Sequence, residues 1–195
     1  MRLSLRASIS AACFAATATV CAQPAPPAPP AQSSPPEAQV RFQRGTELFN
    51  VRNFEGALVE FQRSYELSGH PGLLYNLGRT NQALGRYPEA ARAIEEYLRR
   101  ASDLTPERRA EVEAMLTQTR AFIAHLDLRV LPADVHVALV LDGEVLGATE
   151  FPDGLAVSPG RHTVEARAEG WTPATATAVV ASGDRRALEL QLTRP

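Results

Sequence analysis

From Glu37 onward, bulky apolar side chains return every three or four positions, the spacing that lines one face of an α-helix. The pattern matches itself at an offset of 33: Phe42 aligns with Tyr75, Gly45 with Gly78, Phe54 with Tyr87, Ala57 with Ala90 and Phe61 with Ile94. Small residues thus recur where helices would cross closely, and bulky ones where they would interdigitate. Each unit breaks once, at Arg52-Asn53 or at Gly85-Arg86, so each reads as a helix hairpin. Neither hairpin can bury its apolar stripe alone, so the two are expected to stack. A third helix is expected after Thr105, an N-cap followed by Pro106 in the first turn, where a missing N–H costs nothing. Val112, Met115, Leu116, Thr119, Phe122 and Ile123 share one of its faces, with Glu107, Arg108, Arg109, Glu111, Glu113 and Arg120 mostly opposite. This helix would cover the open end of the stack, because two repeats are fewer than the three usually needed for stability.

After Ala124 the period changes from 3.6 to 2. Leu126, Leu128 and Val130 alternate with Asp127 and Arg129, and Val135, Val137, Leu139 and Leu141 alternate in turn. Turns are marked by Asp142-Gly143, Ser158-Pro159-Gly160, Glu169-Gly170 and Ser182-Gly183-Asp184, with short runs rich in Val, Thr and Leu between them. Thr163 to Ala168 and Arg185 to Leu192 are the strongest of the later strands, and Trp171, the sole tryptophan, is placed at one end of this core. Turns at that frequency imply a small antiparallel sandwich. The expected fold class is therefore α+β in two domains: a helical domain over residues 37–124 and a β-sandwich over 125–195.

The runs from Gly45 to Phe61 and from Tyr75 to Ala91 resemble tetratricopeptide repeats, over about residues 38–104. They depart at Leu48 and Asn81, where an aromatic is usual, and at Tyr97, where a small residue is usual. The resemblance implies a concave face lined by the first helix of each unit, which in the family holds extended peptides or partner helices. Matched position by position, it points to Phe42, Thr46, Phe49, Tyr75, Asn76, Arg79 and Gln82 as protein-binding residues. Asn76 with Arg79 could hold a partner's backbone or carboxylate. The competing reading makes Phe42 and Tyr75 inter-repeat core and Asn76 a brace for the repeat's own backbone.

The C-terminal region resembles the PEGA domain, a small all-β module of bacterial envelope proteins, over about residues 126–193. The matching residues are Leu131 to Val135, the Leu141-Asp142-Gly143 turn with Gly147 after it, and Leu155 to Val164 followed by Gly170-Trp171. Pro132-Ala133-Asp134-Val135 stands where the family has Pro-Glu-Gly-Ala.

The beginning of the chain has a different texture. Arg2 and Arg6 precede an uncharged, mostly apolar or small stretch from Ala7 to Val20, and small residues precede Gln23, the layout of a cleaved secretory signal over residues 1–22. That stretch is too short for a membrane span. Cys21 follows Val20 rather than a small residue, so lipid anchoring is the less favoured alternative to a soluble periplasmic or secreted protein. Pro24 to Pro36 holds seven prolines, so residues 23–36 are expected to be a linker extended as polyproline II.

Composition narrows the function further. All 20 basic residues are arginines against 22 acidic ones, a net charge of −2 that leaves no footprint for nucleic acid. Cys13 and Cys21 both fall inside the leader, so the mature chain would have no disulfide and no thiolate metal site. His70, His125, His136 and His162 are scattered, Glu95-Glu96 are adjacent and diverge on a helix, and Asp142, Glu144 and Asp153 do not have EF-hand spacing. Neither a Gly-rich phosphate loop nor a Gly-x-Ser-x-Gly elbow occurs. No catalytic residue, metal or cofactor is therefore expected.

These features lead to the expectation of an exported, non-enzymatic adaptor or scaffold of the bacterial cell envelope. Its helical face would bind a protein or peptide, and its β domain an envelope component such as polysaccharide or peptidoglycan. The alternative is an accessory or regulatory subunit of an envelope enzyme or transporter, with a carbohydrate-binding β module for which only Trp171 and Phe151 offer aromatic platforms.

Overall fold

The computed structural model describes residues 35–146 and 151–195; the leader expected over residues 1–22, the linker as far as residue 34, and Gly147 lie outside the described residues. Five helices come first: α1 (Pro35–Asn50), α2 (Phe54–Ser68), α3 (Gly72–Ala83), α4 (Tyr87–Arg100) and α5 (Pro106–Arg120). The linker boundary expected at residue 36 is two residues late, because α1 begins at Pro35. Proline fits the first turn of a helix, whose N–H groups have no intrahelical partner. Both hairpins break where the sequence places the interruption. Arg52 takes φ 60° and Gly85 takes φ 72°, so the same left-handed turn is made twice, 33 residues apart, by different residue types. The Asn53 side chain accepts the Gly56 N–H at 3.0 Å to start α2, and α4 starts with Pro88 in its first turn.

The small residues of the repeat lie at the helix crossings. A Cβ placed on Gly45 would come within 2.8 Å of the Phe61 ring, and one on Gly78 within 2.7 Å of Ile94 Cγ1. Ala57 and Ala90 are both fully buried, as equivalent positions in the two hairpins should be. The α2 and α3 helices pack across the repeat boundary, and α5 packs on α4. On α5, Val112, Leu116 and Thr119 are buried in the helical core, with Ile123 just beyond the helix. Phe122 departs from the expected face. It lies past the end of α5, is 43% exposed, and stacks on Tyr87 with ring centroids 4.7 Å apart.

Strands follow from Ala124: β1 (Ala124–Leu131), β2 (Ala138–Leu141), β3 (Glu144–Val145), β4 (Leu155–Val157), β5 (Gly160–Arg167), β6 (Ala174–Val180) and β7 (Arg185–Gln191). They form a three-stranded sheet, β4-β1-β7, and a four-stranded sheet, β3-β2-β5-β6. The four-stranded sheet is antiparallel throughout. The expectation of a wholly antiparallel sandwich is corrected in the other sheet, where β1 and β7 run parallel from His125↔Arg185 to Leu131↔Gln191. A parallel pair needs a long crossover, and here all the intervening strands supply it. The β2 strand also begins later than the alternation from Val135 suggests, leaving Val135 and Val137 half-buried and outside the pairing. Asp142 (φ 50°) and Gly143 (φ 92°) both turn left-handed, the backbone a two-residue hairpin between β2 and β3 requires. The sheets enclose one apolar cluster to which both contribute, including Leu126 and Leu190 from one and Leu139 and Val164 from the other.

The described residues, from Pro35 to Pro195, form one compact unit. Its helical and β cores meet where Ala156 of β4 packs against the helical cluster and the Tyr87 N–H donates to Ser158 Oγ at 3.1 Å.

Candidate functional site

Because α1 and α3 occupy equivalent places in successive hairpins, the seven residues expected at the concave face come from these two helices alone. The structure divides them into three groups.

Phe42 and Asn76 border an open groove of about 420 Å³ between α1, the end of α2 and the start of α3. Phe42 is 39% exposed, with its ring centroid 6.0 Å from that of buried Phe61, so it both joins the core and presents a face outward. Asn76 Nδ2 donates to the Gly72 carbonyl at 3.2 Å, which realises the bracing role weighed against binding.

Phe49, Tyr75 and Arg79 form a stacked set. The Arg79 guanidinium carbon lies 5.1 Å from the Phe49 ring centroid and 5.9 Å from that of Tyr75, so it bridges α1 and α3. Such contacts are worth about 0.5–1 kcal/mol when exposed. Phe49 meets Phe54 edge to face at 5.2 Å, and Tyr75 packs against Tyr97 at 5.7 Å. Tyr97, the departure from the repeat pattern, is thus filled by aromatic packing rather than by a close crossing.

Thr46 and Gln82 are engaged elsewhere. The Thr46 hydroxyl donates to its own helix at the Phe42 carbonyl, 3.0 Å away. Gln82 Nε2 donates to Thr119 Oγ1 at 2.6 Å and so ties α3 to α5.

Arg108 belongs to the site although its sequence position suggested the outer face of α5. Its guanidinium lies 4.3 Å from the Tyr75 ring centroid and 2.8 Å from Glu111. Both neighbours raise its pKa above the ordinary arginine value, Glu111 more than Tyr75. The signal was present: extending the offset of 33 once more aligns Arg108 with Tyr75 and Phe42. The groove also takes in Gln39, Ser64, Ser68, His70 and Leu73, which the match of first helices alone did not select.

Elsewhere, four of the acidic and histidine candidates are engaged with neighbouring side chains. Glu95 binds Arg120 at 2.9 Å, while Glu96 pairs with Arg99 and Arg100. Asp142 accepts the Thr163 N–H at 2.7 Å and lies 2.7 Å from His162 Nδ1. Among the described residues, no group of three His, Cys, Asp or Glu side chains is arranged to hold a metal ion. Trp171 is half-buried against the β core, with the Arg194 guanidinium 5.1 Å from its ring centroid. Among the described residues, no helix is long and apolar enough to cross a membrane.

The class defined here is an α+β protein: five helices, then two small sheets sharing a core, with an aromatic and cationic face on the first helices of its hairpins. No protein-family model matches the chain, and the curated proteins include no significant match.

Proposed function

We propose that this chain is an exported, non-catalytic adaptor of the bacterial cell envelope that holds a protein segment on the face formed by α1 and α3. In this reading the hairpins act as tetratricopeptide-like repeats, and the β region, as a PEGA-like module, docks on another envelope component. The N-terminal charge and apolarity pattern supports export.

The observation that carries the proposal is the combination of half-exposed Phe42, the Arg79 bridge over Phe49 and Tyr75, and the adjoining groove, all on the first helices of the hairpins. Aromatic residues and arginine are the side chains that dominate protein interfaces. A pull-down from envelope extract with the full chain tests it. The wild type is expected to retain a discrete partner, and Phe42→Ala with Arg79→Ala to lose it while the fold is kept; retention of that partner by the double variant would refute the proposal. Tyr75 is a poor choice for this test, because its packing on Tyr97 makes Tyr75→Ala a stability variant.

A further inference from the structure

The stack of hairpins begins at α1, and the side of α1 turned away from the stack corresponds to the side by which α3 joins it. On α3, the stripe Leu73, Leu77, Thr80 and Leu84 is buried or half-buried where that helix packs on α2. The offset of 33 places Val40, Arg44, Glu47 and Val51 at the same positions of the first hairpin. Among the described residues no helix precedes α1, and this stripe is open: Val40 is 58% exposed and Val51 73%, with Arg44 and Glu47 exposed between them. Val51 follows the last residue of α1 but donates its N–H to the Glu47 carbonyl at 3.1 Å, a helical bond that keeps it in line with the other three. At about 100° per residue, the stripe lies on the opposite side of α1 from Phe42 and Phe49.

The order of these four residues is its own complement. Val40 and Val51 are equally distant from the midpoint between Gly45 and Thr46, and so are Arg44 and Glu47. Two copies of α1 laid antiparallel about a two-fold axis at that midpoint bring each Val40 to the other copy's Val51, and each Arg44 to the other copy's Glu47. A parallel arrangement would set arginine against arginine and glutamate against glutamate. Spacings of four, three and four residues suit helices that cross at about 20°. Both charges are accessible to such a partner. Glu47 forms no ion pair among the described residues, and Arg44 lies 3.5 Å from a Glu60 carboxylate that Arg41 also holds, at 3.2 Å.

We infer that a second copy of this chain packs on this stripe, α1 against α1 in antiparallel register, to form a two-fold dimer. The inference does not depend on what the α1 and α3 face holds; where that face binds, the dimer carries two of them. One helix pair falls short of the roughly 1,200 Å² buried in a stable interface, so the association should be weak.

Sedimentation velocity of the full chain from about 5 to about 500 µM tests this, a range suited to so small an interface. The wild type is expected to pass from monomer to dimer across it. Glu47→Arg and Arg44→Glu each set like charges together twice across the axis, so each variant alone should stay monomeric. Their equimolar mixture should dimerise as the wild type does, because every arginine then meets a glutamate. Val40→Ser lies away from Glu60, counts twice by symmetry, and should weaken the dimer by at least about tenfold. Thermal unfolding shows whether each variant keeps the fold, and if Arg44→Glu does not, Glu47→Arg and Val40→Ser decide the matter alone. A wild type that is monomeric throughout, wild-type association by Glu47→Arg or Val40→Ser, or a mixture of folded charge variants that stays monomeric would overturn the inference.

Discussion

Arg52 and Gly85 perform one task with two residue types, which makes their turns a direct comparison. For an L-residue the left-handed conformation costs roughly 1–2 kcal/mol, and for glycine nearly nothing. A Cβ on Gly85 would meet no atom within 4 Å, so Gly85→Ala should cost only that conformational term, about 1 kcal/mol in urea denaturation. Arg52→Gly should stabilise by about 0.5 kcal/mol, since the relief exceeds the added freedom of the unfolded chain. Gly78 differs because its space is filled: Gly78→Ala forces Ile94 to move and should destabilise by about 1–3 kcal/mol. The sequence shows the pattern at Gly78 as a small residue recurring at the repeat offset. It does not show that Arg52 takes a left-handed conformation, because the signal there is the break between helices and not the residue.

Among the elements, the helix starts were the most legible features, since a cap is a local event. Thr105 accepts the Arg108 N–H at 3.2 Å, as its place before Pro106 suggests. Asn53→Ala should cost about 1 kcal/mol by removing the cap of α2. The first turn of α5 also has an acid-sensitive group. Glu107 titrates below its ordinary value of 4.5, held first by its own backbone N–H and then by the Thr105 hydroxyl. On β5, Glu165 is likewise lowered by Arg167, which is bidentate at 2.7 Å. A lowered carboxylate contributes stability that is present above its unfolded value and lost as pH falls through its folded value. Both residues should therefore show carboxyl midpoints below 4.5 in an NMR pH titration, and their contributions should fade on acidification from about pH 4.5 downward. Strand pairing was less legible. The alternation in β1 and β7 states which faces are buried, whereas their parallel pairing joins residues about sixty apart, and no local periodicity encodes that choice. The alternation at Val135 and Val137 likewise marks half-burial without strand pairing.

At the scale of the whole molecule, stacked hairpins place two first helices side by side, and their chemistry converges although Phe49 and Arg79 are thirty residues apart in sequence. Of the seven residues the repeat pattern selected, Phe42, Asn76 and Arg79 adjoin open surface, while Tyr75 and Phe49 support it and Thr46 and Gln82 hold backbone and α5. Periodicity assigns a residue to a face. It does not say whether a neighbour already occupies that side chain, which is why it selects Gln82; Arg108 stands at the same offset one unit further on, in the helix that the sequence marks as a cap. The most direct test of the binding face is photo-crosslinking in intact cells, with a photoreactive amino acid at Gln39 in the groove and, as control, at exposed Val59 on α2. Crosslinking of a discrete protein from Gln39, absent from Val59 and abolished by Arg79→Glu, is the predicted result; equal crosslinking from both positions, or none from Gln39, would contradict it.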